Sequence, residues 1–392
     1  MKNQKKFVCS FVCTAAVLLL CASGIAVGQA GAPHILIAGG VTNGTGSGPD
    51  PILASSEVYQ QQSGIFVASA NMTVARDGPN ATLLQNGQVL VTGGDVKSGS
   101  SSAPTASAEV YDSCAQTFTA TGSMTDARVG HTATLLPNGK VLVAGGQNSR
   151  FVTQATADLY DPTTGLFTPT GNMTTPRVEH IAVLLPNGKV LIAGGENNSG
   201  FLASAELYDP STGVFTAGGT MTVGRAIPTA TLLKNGRVLI AGGAGTTGSC
   251  DGCALSSAEV FNPGSGAFVA VGSMSYARSA QTATLLTSGA VLVAGGIDQA
   301  LNPEILSSAE IFNPSTLSFS PTANMTTPRE GHDATLLHDG NVLVTGGLVT
   351  GTEITATAEL FDVTNATFVA TGSMTAARLD HTSTALPAIC SE

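Results

Sequence analysis

The chain has 392 residues, of which 26 are acidic and 16 basic, giving a formal net charge of −10. Such an acidic balance argues against nucleic acid and anionic membrane surfaces as partners, because both need a basic face. Charged residues make up only 11%, yet Val/Leu/Ile runs recur throughout, which excludes a disordered chain and points to sheet rich in small residues and turns.

Residues 1–30 read as a targeting segment. Lys2, Lys5 and Lys6 form a positive start, Phe7 to Leu20 is apolar, and Gly28-Gln29-Ala30 puts small residues at −3 and −1. Cleavage after Ala30 predicts a secreted protein, extracellular or periplasmic, with no membrane insertion afterwards. A rival signal is Leu19-Leu20-Cys21, which would make Cys21 a lipidated surface anchor, although Leu20 is a poor match for the small residue expected there. Without its three lysines the mature chain carries 13 bases against 26 acids. Cys114, Cys250, Cys253 and Cys390 remain, in a compartment that permits disulfides.

From residue 31 onward one unit recurs. Double glycines stand at Gly39-Gly40, Gly93-Gly94, Gly145-Gly146, Gly194-Gly195, Gly242-Gly243, Gly295-Gly296 and Gly346-Gly347. Arg76, Arg128, Arg177, Arg225, Arg278, Arg329 and Arg378 keep step with them, each four residues after a methionine, at a spacing of 48 to 54 residues. Fixed periods of this size belong to propellers, solenoids and arrays. Within one unit the first strand is exemplified by His131-Thr-Ala-Thr-Leu-Leu136 and ends in Asn138-Gly139, a pair that predicts a two-residue type I′ hairpin turn. Val141-Leu142-Val143-Ala144 follows without alternation, as a strand covered on both faces does. A third strand carries Asp158 and Tyr160, Asp161-Pro-Thr-Thr-Gly165 turns the chain, and a fourth strand carries Phe167.

Residue 31 leads straight into His34–Ala38, a second strand lacking a first, while His381 to Leu386 is a first strand lacking a second. One unit is therefore expected to be assembled from both ends, closing a ring. The expected fold is all-β: a seven-bladed β-propeller over 31–392, with four antiparallel strands per blade. The double glycine after an apolar strand, Tyr59, Tyr111, Tyr160 and Tyr208, and the last-strand aromatics resemble kelch repeats, in the flavour of the galactose-oxidase central domain. The kelch tryptophan is absent, since the chain has none, and phenylalanine takes its place.

Chemistry is harder to find. Glu57, Glu109, Asp158, Glu206, Glu259, Glu310 and Glu359 recur in register with the arginines, so one structural ion pair per blade is expected, in preference to an anion-binding ring of arginines. His131, His180, His332 and His381 follow the arginine by three residues and read as hydrogen-bonded strand starts, not metal ligands. Cys250-Asp-Gly-Cys253 has no second ligand pair for zinc and reads as a small loop disulfide. The galactose-oxidase resemblance implies a copper-radical oxidase, but the ligand tyrosines, histidines and cross-linked cysteine find no counterparts, and no catalytic residue, metal or cofactor is assigned. What varies is the connection after each double glycine, at 41–54, 95–106, 147–155, 196–203, 244–257, 297–308 and 348–357. Variable loops on a rigid frame are where recognition resides. Asp50, Asp95, Arg150, Asn197, Asn198, Asp251, Asp298 and Glu304 are the polar candidates there. The functional expectation is a non-catalytic, monomeric scaffold that binds a protein or glycan through this loop face, with an extracellular oxidase or hydrolase and a Cys21-anchored adhesion module as alternatives.

Overall fold

The structure is a computed structural model, and it describes residues 34–43, 50–98, 101–247, 250–299 and 304–387. The expected targeting segment, Cys21 and Cys390 lie outside the described residues. Strand formation follows side-chain shape. Val89–Thr92, Val141–Ala144, Val190–Ala193, Val238–Ala241, Val291–Ala294 and Val342–Thr345 are buried at every residue. β-Branched side chains suit extended backbone, and a strand apolar on both sides must be sandwiched.

Each of these strands is the second of a four-stranded antiparallel sheet. In one, the order is Thr132–Leu135, Val141–Ala144, Ala157–Asp161 and Leu166–Pro169, with Leu142 opposite both Thr134 and Leu159. Seven such sheets are formed among the described residues, and no helix. Their first strands touch one another in cyclic order, so the sheets stand around a common axis. The ring is closed by pairing His34–Ala38 with Thr382–Leu386, in the register His34 to Leu386 and Ala38 to Thr382. That sheet draws its innermost strand from one end of the chain and its other three from the opposite end.

Packing between sheets repeats as faithfully as the sequence. The third-strand aromatic stacks at a tilt on the fourth-strand phenylalanine directly across from it, as in Tyr160 on Phe167 with centroids 4.8 Å apart. Four of these positions carry tyrosine, whose hydroxyl reaches Thr371, Ser69, Thr121 or Thr170 at 2.9–3.0 Å. A buried phenol needs such a partner. Phe261, Phe312 and Phe361 fill the same place without a hydroxyl to satisfy.

The hairpin turns differ from expectation. Gly139 has φ +82° but Asn138 is not left-handed, so no type I′ turn forms. Gly139 N–H donates to the Leu136 carbonyl at 2.9 Å, and Leu136 N–H to that of Lys140 at 2.8 Å. This is a three-residue loop, Pro137-Asn138-Gly139, closed by a left-handed glycine. Proline before the Asn-Gly pair favours it, because its fixed φ suits the first corner of a type I turn. Asn138 Oδ1 then accepts the Lys140 N–H at 3.1 Å.

Past the double glycines the chain adds small hairpins that the sequence did not announce. Asp95–Ser98 pairs with Ser101–Pro104, Glu196–Asn197 with Gly200–Phe201, Ala244–Thr247 with Cys250–Ala254, Ile297–Asp298 with Glu304–Ile305, and Leu348–Thr350 with Glu353–Ile354. Neighbouring hairpins touch, and Asn43 Nδ2 donates to the Ile354 carbonyl at 2.7 Å. Together they form a rim on the loop face.

Candidate functional site at the axis of the loop face

Each repeated arginine sits in a socket. Arg177 Nη1 donates to the carbonyls of Gly194 at 2.7 Å and Ser204 at 3.0 Å, and Nη2 donates to Glu206 Oε1 at 3.1 Å. Glu206 Oε2 in turn accepts the Thr174 N–H at 2.7 Å. The same pairing joins Arg76 to Glu109, Arg128 to Asp158, Arg225 to Glu259, Arg278 to Glu310, Arg329 to Glu359 and Arg378 to Glu57, at 3.0–3.4 Å and away from solvent. These guanidinium groups point into the protein and are spent on carbonyls and carboxylates, so they form no anion-binding ring. The double glycine is shaped to the socket. A Cβ on Gly195, whose φ is +85°, would stand 2.5 Å from the Val178 carbonyl oxygen, and one on Gly194 would stand 2.6 Å from that of Arg225. Only glycine allows both the left-handed backbone and that approach.

The four histidines bridge neighbouring sheets. Their Nε2 atoms share hydrogen bonds of 2.9–3.0 Å with Thr92, Thr132, Thr282 and Thr345. Burial, and then the nearby arginines, push His131, His332 and His381 down to about 3 and His180 well below its ordinary value, so all four are neutral imidazoles. Among the described residues no three His, Cys, Asp or Glu side chains converge closely enough to hold a metal ion.

The residue two places after each arginine forms a collar around the axis. Gly78, Gly130, Glu179, Ile227, Ala280, Gly331 and Asp380 all have φ between +52° and +62°. Backbone hydrogen bonds pass from one to the next: Gly78 N–H to Asp380 at 3.1 Å, Asp380 to Gly331 at 3.3 Å, Gly331 to Ala280 at 3.2 Å, Ile227 to Glu179 at 3.0 Å and Glu179 to Gly130 at 2.9 Å. A left-handed backbone is costly for a side chain other than glycine, asparagine or aspartate. Glu179, Ile227 and Ala280 are therefore held there by their surroundings.

Around this collar gather acids without counterions. Glu179 and Asp380 lie on it, and Asp77 and Glu330 directly precede it. No arginine, lysine or histidine pairs with any of the four among the described residues. Asp380 is held well above the carboxylate range by burial first, and then by Asp77, Glu330 and Glu179. Burial and then Glu196 push Glu179 up to about 8. Burial alone takes Glu330 to about 7, and burial with Asp95 and, least, Asp50 takes Asp77 to about 7. Glu330 is only 7% exposed, and Asp77 Oδ1 and Asp95 Oδ1 are buried without a hydrogen-bond partner.

Of the residues picked out from the variable loops, Asp50 and Asp95 come near this cluster, since both bear on Asp77 or flank it. The others sit on the rim. Asn197 is engaged on both sides, donating to the Pro176 carbonyl of the preceding linker at 3.0 Å and accepting the Ser199 N–H of its own hairpin at 2.8 Å. Asp251 Oδ1 accepts the Thr246 hydroxyl at 2.6 Å, and Asp298 lies across a hairpin from Glu304. Arg150 and Asn198 are exposed at hairpin tips. Asp77, Glu179, Glu330 and Asp380 were missed by reading loops for variability. The signal was inside the repeat: at positions filled elsewhere by glycine, serine or an apolar residue, these four carry charge.

The profile of the kelch motif matches residues 180–222. That stretch carries a kelch motif, and the fold is a β-propeller of the kelch type. A search of curated proteins finds no match. Among solved structures, a fungal alcohol oxidase of the AA5 family in complex with copper is 21% identical, with a TM-score of 0.61 over 81% of this chain and 69% of that one. YjhT is 15% identical, with a TM-score of 0.58 over 74% of this chain and 97% of that one. At such identities the likeness concerns fold alone. The described residues of this propeller do not fit a copper-radical centre. Its blade tyrosines are buried against phenylalanine, Cys250 is bonded to Cys253, Cys114 is disulfide-bonded too, and the histidine Nε2 atoms are engaged by threonine.

Proposed function

We propose that the protein is a secreted, monomeric, non-catalytic binding module, which seats a protein or glycan ligand over the axial opening of its loop face. One contrast supports this reading. Seven acids, one per sheet, are matched to buried arginines, whereas Asp77, Glu179, Glu330 and Asp380 gather at the axis with no base at all. Leaving buried charge unanswered costs stability, and a ligand that answers it recovers that cost as affinity. The hairpin rim supplies adjustable contacts around such a centre, including exposed Phe151 and Tyr276.

The test is a glycan and protein binding screen on the purified secreted protein, repeated with Asp380→Asn/Glu330→Gln and with Arg150→Ala. A ligand centred on the axis loses at least tenfold in affinity with the first variant. A ligand indifferent to it would remove the axial site from the account. An enzymatic reading has one observation behind it, carboxylates poised near neutral pH as general acids are. Peroxide release or glycan cleavage that is lost in Glu179→Gln would put that reading first.

A further inference from the structure

Among the repeated turns between third and fourth strands, one carries a cysteine. Cys114 stands between Ala108–Asp112 and Thr117–Ala120, where the other units place Gln62, Thr163, Ser211, Gly264, Ser315 and Thr364. Asp112 Oδ1 fixes this turn by accepting the N–H groups of Cys114 at 2.9 Å and Ala115 at 3.0 Å, and Cys114 is left on the surface. Its sulfur is disulfide-bonded. Cys250 and Cys253 are bonded to each other, so the partner of Cys114 is not among the described residues. Cys9, Cys13 and Cys21 belong to the expected targeting segment, which leaves Cys390.

The seam brings the end of the described chain beside the same turn. Through Leu386 the last strand keeps the register of the other units, and Pro387 then takes the position of Pro137. Pro137 and Pro186 each pack on the turn glycine of the following sheet, where a Cβ on Gly188 or Gly236 would stand 3.8 or 3.2 Å from the ring. Pro387 packs on Gly87 in the same way, at 3.4 Å. Gly87 adjoins Gln88, whose Nε2 donates to Asp112 Oδ2 at 3.1 Å, two residues from Cys114. One sheet further on, the corresponding turns enclose a cleft of about 360 Å³, lined by Gln85 of one sheet and Thr163 of the next. Pro387 and Cys114 hold those two positions at the seam. Three residues reach about 10 Å and a disulfide spans about 6 Å more between Cα atoms, which is enough to bridge such a cleft. We infer that Cys114 and Cys390 form a disulfide that clasps the seam, tying the chain beyond the last strand to the sheet against which that strand packs. The clasp lies on the face opposite the rim hairpins and does not depend on any ligand bound there.

The bond arises by exchange with a disulfide donor, the oxidised form of a dithiol carrier. The Cys114 thiolate attacks one donor sulfur and releases the other as a thiolate. The Cys390 thiolate then displaces the donor from the mixed disulfide, so the protein gives up two electrons and two protons and the donor becomes a dithiol. Thr382–Leu386 is thereby held at both ends, by Arg378 in its pair with Glu57 and by the clasp, and is protected from the fraying to which a terminal strand is prone.

The experiment begins with mass-spectrometric mapping of the purified secreted protein, with free thiols alkylated and no reductant added. The expected result is a linked pair of tryptic peptides, 98–128 and 379–392, and no alkylated cysteine. Cys114→Ser, Cys390→Ser and the double variant should each melt about 5 °C or more below the wild type, and by the same amount, because either change removes the one bond. Amide exchange should quicken at least tenfold in His34–Ala38 and Thr382–Leu386 and stay unchanged in Val190–Ala193, across the ring. Dithiothreitol should bring the wild type down to the melt of the double variant, which keeps Cys250–Cys253 and so measures what that second bond contributes. The peptide map and the reduction of the wild type stand even if a variant fails to fold. Alkylated thiols at both Cys114 and Cys390 overturn the inference, as does a bond from Cys114 to Cys21, to the Cys250–Cys253 pair or to a second chain. So do variants that keep the wild-type melt, or that melt lower without faster exchange at the seam.

Discussion

Glu330 and Glu179 show what a carboxylate does when it is buried without a base. Their folded values, about 7 and about 8, lie above the ordinary carboxylate range. Between pH 4 and 8 the folded protein therefore holds protons that the unfolded chain has released, and stability falls as pH rises through that window. The ligand-free protein is expected to melt at a higher temperature at pH 5.5 than at pH 8.5, with Asp77 and Asp380 acting in the same direction. Glu330→Gln should flatten the curve, because the amide stays neutral throughout. Thermal melts followed by circular dichroism across pH 5 to 9 measure this, and a melting point that rises with pH would contradict it. These residues could not be located from sequence as loop residues, since they belong to the linker that repeats in every unit. Asp77 follows Arg76 just as Val129 follows Arg128, and only the shared axis turns four such departures into one site.

At the scale of the element, the arginine socket is the device that fixes each inter-sheet linker. Glu206 joins the Arg177 guanidinium to the backbone N–H groups of Thr174 and Thr175, so one carboxylate orders a whole turn. Removing it leaves an uncompensated guanidinium in the interior. Glu206→Ala is expected to cost about 3–5 kcal/mol in urea unfolding, on the scale of a broken buried pair. Glu304→Ala, on the exposed rim, should cost less than about 0.5 kcal/mol. Strands were legible because apolar runs, double glycines and turn residues recur in phase. The type of hairpin turn was misread, since Asn-Gly alone suggests two residues, whereas Pro137 and the Asn138 side chain select three. The rim hairpins were not legible either. Segments such as Glu196–Asn197 and Gly200–Phe201 are too short for a periodic pattern and are held by neighbouring hairpins.

The whole molecule depends on one seam. Thr382–Leu386 supplies the inner strand of its sheet, and Arg378 reaches Glu57 beside it at 3.0 Å. A chain ending at residue 380 loses that strand and exposes the edge of His34–Ala38. Such a truncation should lower the melting temperature by more than 10 °C and add a dimeric or aggregated species on size exclusion. An unchanged melt in the shorter chain would mean that the seam is dispensable. The composite sheet was legible from the sequence because the two flanking half-units are complementary.

The same seam sets a timetable for biosynthesis. Ala38 and its partner Thr382 are 344 residues apart, so the first strand made waits for the last. At about 5–20 residues per second, that wait lasts roughly 20–70 s. For that time the nascent sheets have a frame without closure, and an apolar strand edge must be shielded by something other than its own partner.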